Sequence, residues 1–197
     1  MLNTKPEKLD RRVIRTRTLL REALLELMMK QDFQQITVQD ITNHAMINRA
    51  TFYAHFEDKY ALFDYAIKTL FQDHLEANMP ESNHLSYDNL QLLALSTLTF
   101  LSQFMGHCAP SHRNKDLPFE KQIQSYLHEV LYHWLTKADP LVISPNISNN
   151  LIATATSSAI LASVLHHAKG KSSLSQEDYI EQLMTLLMDG VCSIVCE

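Results

Sequence analysis

The chain has 197 residues, 46% of them hydrophobic and 20% charged, and this composition excludes an intrinsically disordered protein. Only three glycines and six prolines occur, which favours an all-helical fold because both residues interrupt helices. The net charge of −5, taken over the whole chain, gives no sign of nucleic-acid binding.

The distribution of that charge is uneven. Residues 1–60 contain ten Lys and Arg against eight Asp and Glu, whereas residues 61–197 contain seven against fourteen. The first 21 residues alone carry seven basic and two acidic side chains. A basic N-terminal region followed by an acidic remainder is typical of a DNA-binding region joined to a separate sensing domain. A solvated basic face on the first helix would have the same composition.

The three cysteines, Cys108, Cys192 and Cys196, are too few for a disulfide framework. The N-terminus is polar, and charged or hydroxyl side chains interrupt the apolar stretches, so neither a signal peptide nor a transmembrane segment is predicted. We therefore expect a cytoplasmic protein with reduced thiols and no membrane contact.

The first predicted helices lie close together in the sequence. A basic helix with apolar residues at spacings of three and four is predicted from Asp10 onward. Thr37 and Asn48 are the predicted N-caps of two short helices, and Asp58 is that of a longer one. Only a tight turn can join the two short helices. Residues 37–59 therefore predict a helix-turn-helix, a unit that places its second helix in the major groove of DNA.

The remainder of the chain is also predicted to be helical. After a loop at residues 79–86, helical patterns occupy about 86–104, 118–137, 147–168 and 175–195, and no β-type alternation is found. The predicted fold class is therefore all-α with about nine helices, of which the first three form one unit and the others a second helical layer.

The segment of residues 37–59 resembles the N-terminal DNA-binding domain of the tetracycline-repressor (TetR) family of bacterial regulators. The resemblance is carried by Thr-Val-x-Asp-Ile at 37–41, Ala45, Ile47, Thr-Phe-Tyr at 51–53, His55-Phe56 and Lys59. With the basic helix at 11–28, it covers about a quarter of the chain. Met46 stands where the family often has glycine. Because glycine relieves a left-handed backbone, Met46 predicts strain in the turn.

The resemblance implies a helix-turn-helix domain at residues 1–56 that reads bases with the start of its recognition helix. Arg49 and Thr51 would face base edges, with Ala50 in apolar contact, and arginine suits bidentate binding of guanine. An exposed arginine one position past a helix cap has no evident structural role. Phe52 is predicted to be a core residue, as is Phe56.

The resemblance also implies contacts to the DNA backbone. Thr37 would offer its N–H or hydroxyl to a phosphate at the start of the second helix, where the helix dipole favours an anion. Tyr53, His55 and Lys59 would hold other phosphates. From the residues alone, Thr37 could be only a helix cap, Tyr53 only a brace for the core, and His55 only a surface residue.

Residues 57–197 would form a helical domain for effector binding and dimerisation. One short helix reads too few base pairs for useful specificity, so two copies are expected on a palindromic operator in double-stranded DNA. Small side chains at 151–165 and apolar ones at 179–195 suit close helix pairing. The resemblance implies a homodimer through residues 147–168 and 175–195. Burial of both helices within a monomer is the alternative.

Aromatic residues of the middle helices suit an apolar pocket for an unidentified small-molecule effector, although the same residues would also suit an ordinary core. The candidates are Phe100, Phe104, Tyr126 and Trp134. His107, Cys108 and His112 are possible Zn²⁺ or Cu⁺ ligands, and Cys108 a possible redox switch. Because adjacent residues rarely ligate one ion together, we predict no metal and no cofactor.

The sequence thus predicts a sequence-specific transcriptional regulator, a repressor that leaves its operator when an effector binds the C-terminal domain. In the alternative, that domain contacts a protein partner instead of a small molecule. An enzyme is not predicted, because no nucleophile–base pair, glycine-rich phosphate loop or paired-carboxylate motif occurs.

Overall fold

The computed structural model describes residues 10–80, 84–107, 119–138 and 147–195. These residues contain eight α-helices and no strand, which confirms the predicted all-α class with one helix fewer than the approximate number expected. The helices are α1 (Arg11–Met28), α2 (Val38–Ala45), α3 (Arg49–Tyr53), α4 (Lys59–Asn78), α5 (Tyr87–His107), α6 (Glu120–Lys137), α7 (Asn149–Ala168) and α8 (Gln176–Val195).

The chain forms two compact units, and the boundary between them falls inside α4. The N-terminal unit extends to Ala66, and the C-terminal unit begins at Ile67. The domain boundary expected from the sequence lies between residues 56 and 57, before α4 begins. The assignment of separate functions to 1–56 and 57–197 stays a prediction.

The N-terminal unit packs α1, α2, α3 and the start of α4 around one apolar core. Its buried side chains include Leu20, Leu24, Phe33, Ile36, Ile41, Phe52, Leu62 and Phe63. The prediction that Phe52 and Phe56 are core residues is confirmed, since they are 0% and 7% exposed. The guanidinium of Arg17 lies over the rings of Phe56 and Tyr65, 5.7 and 5.6 Å from their centroids, and so joins α1 to residues on either side of the start of α4.

In the C-terminal unit, α7 packs against α5, α6 and α8. Small residues of α7 permit this, and its buried Ser157 accepts a hydrogen bond from Gln124 Nε2 of α6 at 2.9 Å. Tyr179 of α8 donates its hydroxyl to the carbonyl of Ser163 at 2.9 Å. After α7, Gly170 has the left-handed φ of 70°, as its predicted place beyond a helix end requires.

By length and composition alone, α7 is also apolar enough to cross a membrane, with a mean hydropathy of 1.3 over 18 residues. Central helices of soluble proteins have the same properties, and α7 has packed neighbours on three helices. Only 33% of that stretch is buried within the chain, however. Within the part of the chain that the structure describes, some of this apolar helix is therefore not covered by a neighbour.

Candidate DNA interface

The turn between α2 and α3 consists of Met46, Ile47 and Asn48. Met46 has φ 53° and ψ 39°, which is the left-handed conformation predicted from the sequence. The N–H of Met46 donates to Asn43 O at 3.3 Å and that of Ile47 to Thr42 O at 3.0 Å. This pair of bonds forms a Schellman-type C-cap. Asn48 then starts α3 by accepting a hydrogen bond from Ala50 N at 2.8 Å.

Replacing Met46 with glycine should stabilise the N-terminal unit. The Met46 side chain is 94% exposed, so its removal leaves no cavity, and the left-handed backbone loses its steric strain. The larger unfolded-state entropy of glycine offsets part of this gain, and we expect a net increase of about 0.5–1 kcal/mol in the free energy of unfolding. Urea denaturation measures it.

Met29→Gly is the matched control. Met29 is also an exposed methionine at a helix end, but its φ is −69°. Glycine there relieves no strain and should destabilise the protein by roughly 0.5–1 kcal/mol. Equal effects of the two substitutions would contradict the assignment of strain to Met46.

The start of α2 is closed by a reciprocal capping box. Thr37 Oγ1 accepts from Asp40 N at 3.2 Å, while the N–H and the hydroxyl of Thr37 both donate to Asp40 Oδ2, at 2.9 and 2.6 Å. These two bonds lower the pKa of Asp40, the hydroxyl having the larger effect. The N–H and the hydroxyl of Thr37, which were predicted to donate to a phosphate, therefore both donate to Asp40 within the cap.

The recognition helix α3 displays Arg49 and Tyr53 together. Both side chains are exposed, and Arg49 Nη2 donates to the Tyr53 hydroxyl at 3.3 Å while its guanidinium lies 5.6 Å from the ring centroid. The Tyr53 ring in turn contacts the buried Phe52 ring edge to face, with centroids 5.4 Å apart. Arg49 is thus held on an aromatic surface anchored in the core.

Three more predicted contact residues lie on α3 or just after it. Ala50 is exposed and Thr51 half-buried on α3, and His55 is half-buried two residues after the helix ends. Arg49 and Tyr53, four residues apart, share one face of α3. Ala50 and Thr51, one and two positions after Arg49, lie on other sides of the helix.

Lys59, predicted to hold a phosphate, contacts the backbone of the turn that connects α1 to α2. Its ammonium donates to the carbonyls of Phe33, Gln34 and Ile36 at 3.0, 3.0 and 2.7 Å. Burial lowers its pKa, and the nearby negative charge of Asp32 opposes that shift.

One contact of this unit was not anticipated from the sequence. His44 Nε2 of α2 lies 2.6 Å from Glu26 Oε2 of α1. The hydrogen bond to His44 is the main cause of a lowered pKa for Glu26. No spacing rule connects two residues that meet only when α1 and α2 pack.

In the C-terminal unit, three of the four residues predicted to bind an effector belong to an aromatic cluster. Phe100 contacts the rings of Phe71 and Phe104 at 5.0 and 6.0 Å, and Phe71 contacts Tyr126 at 5.8 Å. Burial is the largest cause of a raised pKa for Tyr126. The fourth, Trp134, is buried on α6.

A cavity of about 410 Å³ lies elsewhere in the same unit and is lined by none of those four residues. Its walls come from the beginnings of α5 and α7, the end of α6 and the middle of α8, with residues that include Leu90, Leu131, Leu135, Ile152, Thr156 and Met188. Its described lining holds no amine, guanidinium, imidazole or carboxylate. Apolar, uncharged compounds suit such a cavity.

The possible metal ligands Cys108 and His112 lie outside the described residues, and the side chain of His107 is not described either. Among the residues that are described, no group of three or more His, Cys, Asp or Glu is arranged to hold a metal ion.

Two short capped helices, a three-residue turn and an exposed basic recognition helix define a helix-turn-helix protein of the DNA-binding class. Residues 20–66 match the model of the tetR family of bacterial regulatory proteins. The match confirms the resemblance to the TetR family that residues 37–59 indicated.

A relative from Bacillus subtilis (strain 168), described as the uncharacterized HTH-type transcriptional regulator YxbF, is 45% identical over 65 residues. The match covers 32% of this chain and 17% of the relative, so the chain corresponds to about a sixth of that protein's length.

Solved structures resemble the fold over most of the chain. The transcriptional regulator FadR from Bacillus subtilis, in complex with stearoyl-CoA, has a TM-score of 0.60 at 16% identity, covering 88% of this chain and 98% of its own. The dihydroxyacetone kinase operon activator DhaS has 0.57 at 22%, covering 89% and 96%. RolR, in complex with resorcinol, has 0.59 at 17%, covering 93% and 91%. At these identities the likeness concerns the fold.

Proposed function

We propose that this protein is a sequence-specific transcriptional regulator that binds a palindromic operator as a homodimer and is released when an effector binds its C-terminal unit. The single observation that carries the proposal is the α2–turn–α3 unit, in which the Met46 turn presents Arg49 on an exposed helix held against the core. We propose a repressor, whose target genes would be expressed when the effector releases it from DNA.

For DNA contact, we assign Arg49, Ala50 and Thr51 to base edges and Tyr53 and His55 to phosphates. The capping box changes the assignment at α2. With both donors of Thr37 directed to Asp40, a phosphate near this helix start would meet the backbone N–H groups of Val38 and Gln39. Thr37 then acts by holding the helix start in place.

Dimerisation is supported by the uncovered apolar surface of α7 and α8. Leu151, Ala155, Ser158 and Ala162 are exposed and recur at spacings of four, three and four, which places them in one stripe along α7. On α8, Leu186 is 41% exposed. A second copy of the chain would bury these side chains and explain the high hydropathy of α7.

The cavity supports the proposal of an effector. About 410 Å³ lies within the range of small-molecule sites, and its walls favour an apolar, uncharged compound. The ligands named for FadR and RolR, stearoyl-CoA and resorcinol, both contain apolar groups that such walls could hold. We assign the effector to this cavity rather than to the closely packed Phe100 cluster.

In the alternative, the C-terminal unit binds a protein. The exposed apolar residues of α7 and α8 would serve that role as well, and DhaS, a fold neighbour, is an operon activator by name. Capture of a protein partner that competes with homodimerisation would favour this alternative.

The function is tested by selecting bound sequences from random duplex DNA with the purified protein. We expect enrichment of a palindrome whose half-sites are about one helical turn of DNA apart, or a multiple of it. Failure to enrich any sequence at low salt would contradict the proposal.

The effector assignment is tested by Thr156→Phe, which places a ring in the cavity. Operator binding should persist, while metabolites that release the wild-type protein from DNA should lose their effect. Thr136→Phe, at an exposed position of α6, is the matched control and should leave the response unchanged. A full response in Thr156→Phe would exclude the cavity as the effector site.

A further inference from the structure

The ammonium of Lys59 is enclosed by the turn that connects α1 to α2. It donates to the carbonyls of Phe33, Gln34 and Ile36 at 3.0, 3.0 and 2.7 Å. A lysine ammonium has three N–H donors and no acceptor. These three carbonyls therefore engage its full hydrogen-bonding capacity.

Aromatic rings complete the enclosure. Lys59 Nζ lies 4.9 Å from the centroid of Phe33 and 5.5 Å from that of Tyr60, within the range of cation–π attraction. The Tyr60 hydroxyl donates to Gln34 Oε1 at 3.3 Å, which adds a second link between α4 and the same turn. The Lys59 side chain is half-buried, so its charge is partly removed from water at the edge of the unit.

The turn depends on this charge for its hydrogen bonds. Phe33 O also accepts from Ile36 N at 3.2 Å, but no backbone N–H of the described residues donates to Gln34 O or Ile36 O. Ile36 directly precedes Thr37, the cap of α2. A side chain on the first residue of α4 thus fixes the backbone from which the helix-turn-helix starts.

We propose that Lys59 is a positioning residue, which clamps the α1–α2 turn to α4 and so sets the orientation of α2, and that it does not contact a DNA phosphate. To reach a phosphate, the ammonium would have to leave three carbonyls and two aromatic rings, and the loss of these contacts would offset the gain from the ionic one. The inference rests on the proposed function only for its effect on DNA binding.

Wild-type protein labelled with ¹⁵N provides the first test, which needs no DNA. In ¹H–¹⁵N spectra optimised for ammonium groups, Lys59 should give a slowly exchanging signal at low temperature because its protons are hydrogen-bonded. Lys30, an exposed lysine of the same unit, is the internal control and should exchange too fast to observe. A Lys59 signal that exchanges as fast as that of Lys30 would overturn the proposal, whether or not the protein binds an operator.

Two substitutions provide the second test. Lys59→Arg keeps the charge, but a planar guanidinium cannot direct its donors to three convergent carbonyls. We expect Lys59→Arg and Lys59→Met alike to lower the melting temperature by about 5 °C or more. Both should weaken binding to the selected operator about tenfold or more.

The salt dependence of binding separates positioning from phosphate contact. For Lys59→Met, the slope of log affinity against log salt should equal that of the wild type. A phosphate contact would instead reduce the slope by about 0.9 per protomer, and Lys59→Arg would then bind nearly as well as the wild type. Either of these results overturns the proposal, as does a Lys59 ammonium signal that shifts when operator DNA is added.

Discussion

Substitution of Arg49 with alanine is expected to abolish discrimination at one base pair of each half-site. A bidentate arginine–guanine contact contributes about 1–3 kcal/mol of discrimination. Two copies act on a palindrome, so the loss of operator affinity should approach about 2–6 kcal/mol. Competition binding to the selected operator and to variants of each half-site position measures this loss. The base pair that Arg49 recognises is the one whose substitution no longer changes the affinity of Arg49→Ala.

Arg49→Lys distinguishes base recognition from simple charge. Lysine keeps the positive charge but cannot form the paired, planar contact, so it should bind the operator much as Arg49→Ala does. Both variants should retain the stability of the wild type, because Arg49 is exposed and its only described contacts are with Tyr53. Equal losses of operator and nonspecific DNA affinity would place Arg49 on a phosphate instead.

The second large effect concerns the small-residue stripe of α7. Ala162→Glu places a carboxylate within the proposed interface, where a second copy would bury it without a compensating charge. Burying an unpaired ion costs several kcal/mol even after relaxation. We expect a monomer at concentrations where the wild type is dimeric, and with it the loss of operator binding, as measured by sedimentation equilibrium and titration of the operator.

Ala77→Glu is the matched control, since Ala77 is an exposed alanine on α4. It introduces the same charge at a position outside the proposed interface and should leave both the dimer and operator binding unchanged. A dimeric Ala162→Glu protein would contradict the assignment of α7 to the interface. Dissociation by both variants would indicate a general effect of charge.

The features of the N-terminal unit that depend on near neighbours in the chain were predictable. The caps at Thr37 and Asn48 are confirmed, because each cap bonds an N–H two or three residues further on. The left-handed Met46 is confirmed as well. Its conformation follows from having to end one helix and admit another within three residues. Whether Thr37 reaches a phosphate was not predictable from a cap motif, which does not say where the remaining donors point.

In the C-terminal unit, the sequence predicted the helices but not which side chains line a cavity. The predicted helices at 86–104, 118–137, 147–168 and 175–195 agree closely with α5 to α8, because hydrophobic periodicity reports on helices well. The same periodicity cannot distinguish an aromatic residue that fills a core from one that lines a cavity. The Phe100 cluster and the cavity near Thr156 therefore emerged only from the packing of helices distant in sequence.

What the sequence by itself determined is the helical class, the helix-turn-helix with its capped and strained turn, and the resemblance of the N-terminal region to the TetR family. These rest on contacts within a few residues or on a local motif. The tertiary structure alone decided that Arg49 lies on Tyr53, that His44 pairs with Glu26, and that Lys59 faces three carbonyls 23 to 26 residues away. A charged side chain has the same sequence signature whether it faces DNA or the protein's own backbone. Only the packing of α4 against the α1–α2 turn determines which of the two it meets.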